Sequence, residues 1–267
     1  MHRSYLFAPG DSEKLLAKVF ATGADAVILD LEDAVAPERK PAARRNIAEV
    51  LETHSAWVRI NASHTALAAA DLDAVANIAI GIRIPKVESV DDVRWVAQRA
   101  PGKPLICAIE TAKGVVNAFA IAAEPAVSHL ALGGIDLRRD LGVGDDDMSL
   151  VYVRSHLAVA CRAAGIGPPI DSVYPMLHDD EGLRRQCASS RALGFFGKSA
   201  IHPRQLPIIH EAFSPTRDEL QWAQDVVDAF DAANGAASRL SGGEFVDLPV
   251  VERARGILLR AGAGEPG

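Results

Sequence analysis

The sequence predicts an α/β fold, and within that class a (β/α)8 TIM barrel followed by a small helical segment. Three observations lead to this prediction. Short apolar runs rich in β-branched residues alternate along the chain with longer, alanine-rich amphipathic stretches. The short runs are continuously apolar, which is typical of strands buried on both faces. Eight such strands with intervening helices fit into about 200 residues, the size of a barrel of this kind.

The predicted elements follow one another with few interruptions. The strands are Ser4–Ala8, Ala26–Leu31, Trp57–Ile60, Ile82–Val87, Leu105–Ile109, His129–Leu132, Ile170–Val173 and Phe195–Ala200. The helices are Ser12–Thr22, Pro37–Thr53, Ala66–Asn77, Val90–Ala100, Lys113–Ala123, Leu150–Ala164 and Asp179–Leu193. A doubly wound open sheet is the alternative, but it would carry a glycine-rich fingerprint after its first strand. The chain has Phe7-Ala8-Pro9-Gly10-Asp11 there, so the barrel is preferred.

The chain changes character after the eighth strand. We therefore predict that residues 1–213 form the barrel and that residues 214–267 form a helical appendage. Ser214-Pro215-Thr216 is typical of a helix start, with acidic residues in the first turn. Turn signals follow at Asn234-Gly235 and at Ser241-Gly242-Gly243, and a last helix is predicted from about Pro249.

Composition excludes several classes of protein. Of 267 residues, 49% are hydrophobic and 24% are charged, which excludes wholesale disorder. The 28 Lys and Arg against 35 Asp and Glu give a net charge of −7, so a nucleic-acid partner is not expected. No apolar run reaches the roughly 18–20 residues that span a bilayer, so no membrane association is expected.

The cysteines bear on the cellular compartment. Cys107, Cys161 and Cys187 are odd in number, lie among aliphatic residues and form no C-x-x-C pair. They are interpreted as buried core residues in a reducing compartment rather than as a catalytic thiol. Since no signal-peptide pattern is present at the start of the sequence, a cytoplasmic location is predicted.

Two carboxylates follow consecutive predicted strands. Glu110 comes directly after the fifth strand and Asp136 shortly after the sixth. Because the carboxyl ends of barrel strands meet at one mouth, we expect these side chains to converge. Two carboxylates without a Cys or His cluster favour a hard divalent cation, Mg²⁺ or Mn²⁺. The alternative is structural: Glu110 would cap the following helix, and Asp136 would pair with Arg138 or Arg139.

Charged residues also follow the second and third strands. Arg59 lies in the apolar run Val58-Arg59-Ile60, so its guanidinium must be paired or hydrated. It is interpreted either as an anchor for a substrate carboxylate or as the partner of the acidic cluster Asp30-Leu31-Glu32-Asp33. That cluster is either a solvated loop or a second layer of the site that orients Arg59 and metal-bound waters.

Four lysines are further candidates. Lys86 and Lys198 each end a strand, which allows a Schiff-base mechanism or plain ion pairing. Lys14 and Lys18 lie one turn apart on the first helix after Ser12. A helix start with lysines could bind phosphates, although a solvated helix face is the commoner arrangement.

Eight segments, in register over almost the whole chain, carry a resemblance to a known family. They are Arg3–Gly10, Asp25–Val35, Val58–Asn61, Ile84–Glu88, Ile109–Ala112, Gly133–Leu137, Gly197–Pro203 and Val246–Ala254. With these segments the sequence resembles the citrate lyase β-subunit-like branch of the HpcH/HpaI aldolase superfamily. The resemblance implies a (β/α)8 barrel and a Mg²⁺-dependent carbon–carbon lyase. Its substrates would be CoA or acyl-carrier thioesters of the citryl, malyl or citramalyl type, cleaved to a 2-keto acid.

The resemblance also implies roles for individual residues. Metal ligands would be Glu110 and Asp136, and the contact to the substrate carboxylate and carbonyl would be Arg59. The backbone at Gly134 and Ile135 would bind the keto-acid carboxylate. A lid aspartate, Asp247, would reach the site of an adjacent subunit in a homotrimer. The CoA phosphates would lie at Lys14 and Lys18. Within the acidic cluster, we predict a catalytic role for Asp33 and a substrate contact for Glu32.

Two other functions stay open at this stage. One is a metal-dependent aldolase for free 2-keto acids, which normally relies on a histidine base near the first strand; His2 is poorly placed for that. The other is a non-catalytic subunit that binds an acyl carrier. The intact Glu110 and Asp136 pair argues against it, and the presence of Asp247 favours a stand-alone enzyme for free CoA thioesters.

Overall fold

The computed structural model describes residues 1–262, and it confirms the predicted α/β barrel. Seven parallel strands form its sheet: β1 (Ser4–Pro9), β2 (Ala26–Asp30), β3 (Trp57–Arg59), β4 (Gly81–Ile84), β5 (Leu105–Ile109), β6 (Val127–Leu132) and β7 (Lys198–Ala200). Their order in the sheet is β6-β5-β4-β3-β2-β1-β7. Consecutive strands are therefore neighbours, as a barrel requires.

The predicted seventh strand is reduced to two bridged residues. Ile170 pairs with Ala131 of β6, and Asp171 pairs with Lys198 of β7, both in parallel. These bridges close the ring between the two edge strands. The prediction of a regular strand over residues 170–173 is wrong because Pro168 and Pro169 precede it and lack the N–H groups that a ladder needs. The last strand also starts later than predicted, at Lys198.

Helices cover the outside of the sheet. They are α1 (Glu13–Val19), α2 (Lys40–Leu51), α3 (Ala66–Val75), α4 (Val90–Arg99), α5 (Ala112–Val116), α6 (Ala118–Ala122), α7 (Gly134–Leu141), α8 (Val151–Ala164), α9 (Asp180–Ala192) and α10 (Leu206–Phe213). The predicted fifth helix is broken at Asn117 into α5 and α6. Two helices were not predicted: α7 starts in a pair of glycines, and α10 contains Pro207. Both signals argue against a helix when only local propensity is considered.

The barrel interior is apolar near its amino-terminal end. A cluster there contains Tyr5, Ala26, Ile28, Trp57, Ile106, Ala131 and Ile170, with Phe7 packed against it. Trp57 on β3 lies directly opposite Gly81 on β4, and a Cβ added to Gly81 would lie 2.2 Å from Cζ3 of the indole. The indole thus fills the space that a side chain on β4 would need.

A second compact unit begins at Glu211. It contains α11 (Arg217–Ala232), a two-stranded hairpin of β8 (Ser238–Arg239) and β9 (Phe245–Val246), and α12 (Leu248–Gly262). The helix start predicted at Thr216 is present as a capping box with Glu219. The unit encloses its own apolar cluster, which includes Ala223, Val226 and Val246. Residues 263–267 of the predicted appendage lie outside the described residues.

Two smaller observations concern the compartment and class of the protein. Within residues 1–262, no helix has both the length and the hydropathy needed to cross a bilayer. All three cysteines are free and buried, and burial raises the pKa of Cys161 to about 12 and that of Cys187 to about 11. Such thiols are unreactive, in agreement with the interpretation as core residues.

The contact between Trp57 and Gly81 gives a prediction for stability. Gly81→Ala should lower the free energy of unfolding by about 1–3 kcal/mol, because the added methyl overlaps the indole within a packed core. Denaturant unfolding measures this change. Gly144→Ala is the matched control, since a Cβ there meets open space. Equal stability of both variants would contradict the proposed packing.

Candidate active site

An open cavity of about 390 Å³ lies at the carboxyl ends of the barrel strands. It is lined by Phe7, Asp30, Asp33, Ala34, Arg59, Arg83, Glu110, Leu132, Gly133, Ile135, Asp136, Ser172, Val173 and Ile201. Most of the sequence-predicted site residues of the barrel are thus brought together on one surface. This is also where barrels of this kind carry their active sites.

A bidentate ion pair between Arg59 and Asp30 lies in the wall of this cavity. Arg59 Nε donates to Asp30 Oδ1 at 2.7 Å, and Nη2 donates to Oδ2 at 2.6 Å. The same carboxylate accepts the backbone N–H of Glu32 at 2.9 Å and of Ala34 at 3.2 Å. Asp30 therefore fixes both the guanidinium and the turn that carries Glu32 and Asp33. The ion pair that the sequence left as an alternative is present.

The other acids of the cluster have different environments. Glu32 is buried, its Oε2 lies 2.9 Å from Arg59 Nη1, and its Oε1 accepts a hydrogen bond from Lys86. Burial raises the pKa of Glu32, and the two cations oppose that rise. Asp33 is 59% exposed and lies 3.9 Å from Arg59 Nη1 and 3.6 Å from Lys86 Nζ. Glu32 thus supports Arg59, whereas Asp33 faces the open cavity.

Arg59 and Lys86 both remain charged. Burial lowers the pKa of Arg59, but the hydrogen bonds to Asp30 and the charges of the acidic cluster together outweigh that effect, and the pKa is raised. Burial likewise lowers the pKa of Lys86, and the hydrogen bond to Glu32 together with the nearby carboxylate charges raises it. Lys86 also has a φ of 52°, a left-handed conformation that is rare for a side-chain-bearing residue and costs free energy. The ion-pair interpretation of Lys86 is therefore supported, with Glu32 as its partner.

Glu110 is the least compensated carboxylate of the cavity. It is buried, and its Oε2 has no hydrogen-bond partner in the part of the chain that the structure describes. Burial, and then the charge of Glu32, raise the pKa of Glu110 to about 7. The proposed helix-capping role is not found, since Thr111 caps α5 through its side chain. Gly133 makes room for Glu110, because a Cβ at Gly133 would lie 2.2 Å from Glu110 Cγ.

Asp136 lies in the first turn of α7, at the same cavity as Glu110. Its side chain is 25% exposed, and Oδ1 lies 2.8 Å from Nη2 of Arg139, one turn along the helix. The ion pair suggested from sequence is therefore present. It uses one carboxylate oxygen, and Asp136 still contributes to raising the pKa of Glu110.

The start of α7 also contains the two residues predicted to bind a keto-acid carboxylate. The N–H of Gly134 donates to Ser172 Oγ at 3.0 Å, so this donor is already engaged. Ile135 lines the cavity and is exposed. Ser172 was not singled out from the sequence, although a serine in an apolar run was a possible signal.

Arg83 is the other residue that sequence reasoning missed. It is buried, lines the cavity and donates from Nη1 to Ser199 Oγ at 3.2 Å. Burial, and then the charge of Arg59, lower the pKa of Arg83 to about 10. An arginine inside the four-residue strand Gly81–Ile84 is the signal that could have identified it.

Some predicted site residues lie elsewhere. Lys198 is fully buried and bonded to Asp171 at 2.6 Å and to Gln186, so the ion-pair interpretation holds rather than the Schiff base. Lys14 and Lys18 are exposed on α1, and Ser12 occupies the N-cap position without a side-chain capping bond. Asp247 belongs to the C-terminal unit, where its Oδ1 accepts the N–H of Val250 at 3.3 Å.

The carboxylates of the cavity fit a divalent cation that takes few ligands from the protein. Within residues 1–262, no group of three or more His, Cys, Asp or Glu side chains is arranged to bind a metal ion. Mg²⁺ does not require such a group, since it is commonly bound through one or two carboxylates with water and substrate oxygens. The unpartnered Oε2 of Glu110 beside Asp136 fits that arrangement.

Comparison with known families agrees with this geometry. A family profile described as HpcH/HpaI aldolase/citrate lyase matches residues 3–203. The chain belongs to this family. A second profile, described as a C–C bond lyase of the TIM-barrel fold, matches residues 148–262. The protein is therefore a carbon–carbon lyase, as the resemblance in its sequence implied.

Individual relatives cover nearly the whole chain. The (3S)-malyl-CoA thioesterase of Cereibacter sphaeroides is 38% identical over 98% of this chain and 95% of its own length. The mitochondrial citramalyl-CoA lyase of Mus musculus is 31% identical over 97% of this chain and 86% of its own. CitE from Mycobacterium tuberculosis, in complex with magnesium, acetoacetate and coenzyme A, has a TM-score of 0.84 at 36% identity and 97% coverage of both chains.

The raised pKa of Glu110 predicts a pH dependence of stability. The folded protein binds this proton more tightly than the unfolded chain does, since the pKa rises from 4.5 to about 7 on folding. In metal-free buffer, this group's contribution to the free energy of unfolding is fully present below pH 4.5 and is lost as the pH rises through about 7. The loss amounts to at most about 3 kcal/mol.

Denaturant unfolding between pH 4 and pH 8 in the presence of a chelator measures this effect. Glu110→Gln should flatten the profile, whereas Glu88→Gln, at an exposed strand-end carboxylate, should keep it. An unchanged profile in Glu110→Gln would show that Glu110 is ionised throughout this range.

Proposed function

We propose that this enzyme is a Mg²⁺-dependent lyase that cleaves a 3-hydroxyacyl-CoA thioester to a 2-keto acid and an acyl-CoA, or catalyses the reverse condensation. One observation carries the proposal: Glu110, Asp136 and Arg59 line a single cavity at the carboxyl ends of the strands. The names of the relatives support the substrate class. They include a malyl-CoA thioesterase, a citramalyl-CoA lyase and structures with magnesium and CoA.

The metal would be bound by Glu110 and Asp136. Burial favours the neutral form of Glu110, so a bound cation would compensate the ionised carboxylate. When bound there, Mg²⁺ supplies Lewis-acid polarisation of the substrate's oxygens. Gly133 keeps the space that Glu110 needs to face the cavity. Mn²⁺ has similar ligand preferences and is expected to replace Mg²⁺.

The bond cleavage can be assigned to this chain's own residues. Asp33 accepts the proton of the 3-hydroxyl group, and Arg59 hydrogen-bonds to the same oxygen as it becomes a carbonyl. The bond between the α-carbon and the hydroxyl-bearing carbon breaks, and its electron pair passes to the thioester as an enolate. Glu32 keeps Arg59 oriented through its ion pair. The enolate carbon then takes a proton from a protonated acid, and Ile135 adjoins the keto acid.

That acid is proposed to be Asp247 of a neighbouring subunit in a homotrimer. Asp247 lies between β9 and α12 in the C-terminal unit. Within that unit, residues 214–267 would act as the lid. In the condensation direction, its carboxylate would remove a proton from the thioester methyl group. Lys14 and Lys18, exposed on α1, would bind the CoA phosphates. Buried, free cysteines support the proposed cytoplasmic location.

Thioester hydrolysis is the second candidate reaction, since the malyl-CoA relative is named a thioesterase. Hydrolysis would release free CoA and a hydroxy acid, whereas carbon–carbon cleavage releases a keto acid and leaves the thioester intact. A thiol reagent and an NADH-coupled keto-acid assay distinguish the two. Cleavage of free 2-keto acid aldols alone would favour the aldolase alternative, and no turnover of either class would favour a binding subunit.

Glu110→Gln and Asp136→Asn are predicted to lower kcat/KM for Mg²⁺-dependent cleavage by about 10²–10⁴-fold, because each removes one charged ligand. The keto-acid release assay with citramalyl-CoA, malyl-CoA and citryl-CoA measures this. Calorimetric titration with Mg²⁺ should show a weaker Kd in both variants. Glu88→Gln is the matched control, since Glu88 pairs with Lys113 and does not line the cavity. Wild-type turnover in either variant would overturn the metal assignment.

A subunit-mixing experiment tests the role of Asp247. Asp247→Asn keeps the oxygen that accepts the N–H of Val250, so the helix start should survive while the acid is lost. Alone, this variant and Glu110→Gln should each be inactive. When the two variants are mixed one to one and assemble at random into trimers, about one quarter of the wild-type activity should be recovered. In about one quarter of the sites, a subunit with an intact Glu110 lies beside a subunit with an intact Asp247. No recovery would show that Asp247 does not act on a neighbouring subunit.

A further inference from the structure

Arg83 is a buried cation in the cavity wall that the proposed chemistry does not use. It is the third residue of β4 and is 4% exposed. On the neighbouring strand, Arg59 lies in register with it. The guanidinium carbon of Arg83 lies 5.1 Å from the centre of the Phe7 ring, and that of Arg59 lies 4.9 Å from it, so both side chains point into the barrel.

The two arginines differ in how their charges are balanced. Arg59 has ion pairs with Asp30 and Glu32. Among the residues that the structure describes, Arg83 makes one hydrogen bond, to the neutral Ser199, and its Nε has no partner. Throughout residues 1–262, no carboxylate lies within ion-pair distance of Arg83. An unpaired buried charge is costly, and a second guanidinium beside it adds repulsion. Because Arg83 lines the cavity, an anion entering from solvent can supply the missing partner.

The level of Arg83 in the barrel indicates which part of the substrate it meets. Its register partner on β5 is Ile106, four residues before Glu110, and Asp136 lies beyond the end of β6. Arg83 therefore starts deeper in the barrel than the two carboxylates. We place the keto oxygen and the adjacent carboxylate of the 2-keto acid at Glu110 and Asp136. The remaining substituent on the keto carbon is then the group that points inward, toward Arg83.

We propose that Arg83 binds a second carboxylate on the keto-acid half of the substrate. The enzyme would then select a thioester that yields a dicarboxylic 2-keto acid such as oxaloacetate, over thioesters that yield pyruvate or glyoxylate. A guanidinium that lines the cavity and lacks a counter-charge suits charge-assisted binding of a carboxylate. This inference rests on the proposed function and adds the substrate class and the residue that determines it.

Citryl-CoA and citramalyl-CoA form a matched pair for the test, because they differ only in the carboxylate on that substituent. The wild-type enzyme should have the higher kcat/KM for citryl-CoA. Arg83→Met should lower this value by about 10- to 100-fold, the effect of one lost charge-assisted contact, and change that for citramalyl-CoA less than about twofold. Arg83→Lys should retain part of the preference. Arg94→Met, at an exposed arginine paired with Glu124, is the control.

Direct binding separates this inference from the proposed function. Calorimetry with Mg²⁺ and either oxaloacetate or pyruvate should show tighter oxaloacetate binding by the wild type and loss of the difference in Arg83→Met. If no thioester is turned over, the proposed function fails, and the keto-acid affinities still decide the role of Arg83. A wild-type preference for citramalyl-CoA or for pyruvate would overturn the inference. So would an equal loss on both substrates, with a lower Tm, because that is the result of a purely structural role.

Discussion

The ion pair between Asp30 and Arg59 is the interaction on which the rest of the cavity depends. Burying two charges costs several kcal/mol per ion, and only good geometry and further hydrogen bonds offset that cost. Here the carboxylate accepts two bonds from the guanidinium and two from backbone N–H groups of the following turn. The ion pair therefore orients Arg59 toward the cavity and fixes the turn that carries Glu32 and Asp33. Removing Arg59 would leave a buried carboxylate without its counter-charge, and removing Asp30 would leave a buried guanidinium and a turn without its two side-chain hydrogen bonds.

The second constraint is the balance of charge around the cavity. Glu32 and Glu110 are both buried glutamates that follow barrel strands, yet their environments differ. Glu32 lies between two cations, Arg59 and Lys86, which compensate part of the cost of burying its charge. Within residues 1–262, Glu110 has one oxygen without a hydrogen-bond partner, and burial raises its pKa to about 7. Its negative charge would therefore need a cation from solvent to compensate it. This contrast separates a residue that positions others from one that is suited to bind a cation.

The same contrast applies to the arginines. Arg59 is neutralised by carboxylates of the protein, whereas Arg83 is not. Within residues 1–262, Glu110 and Arg83 thus lack an ion-pair partner and line the same cavity, which is the pattern expected of a site that binds a cation and an anionic substrate together. Small residues make this possible: Gly133 leaves space for Glu110 in the same way that Gly81 leaves space for Trp57.

The barrel, most of its helices and strands, and the cavity at which Glu110, Asp136 and Arg59 meet could be predicted from the sequence. Hydrophobic periodicity and chain order suffice for this, because consecutive parallel strands in a closed sheet must bring their carboxyl ends together. Two elements were not predicted correctly: the seventh strand, which Pro168 and Pro169 limit to single bridges, and the helix α7, which starts in two glycines. The prolines act locally, by removing N–H groups from the ladder, whereas α7 forms against the propensity of its own first residues.

The pairing of the charges could not be predicted from the sequence. From sequence, Arg59 could anchor a substrate or pair with the acidic cluster, and Arg83 was not identified as a site residue. Whether a buried side chain has a counter-charge depends on atoms from strands that are far apart in the chain. Asp30 is 29 residues before Arg59, and Ser199 is 116 residues after Arg83. Local pattern carries no information on such distances, because electrostatic compensation is set by the closed barrel and not by any one of its strands.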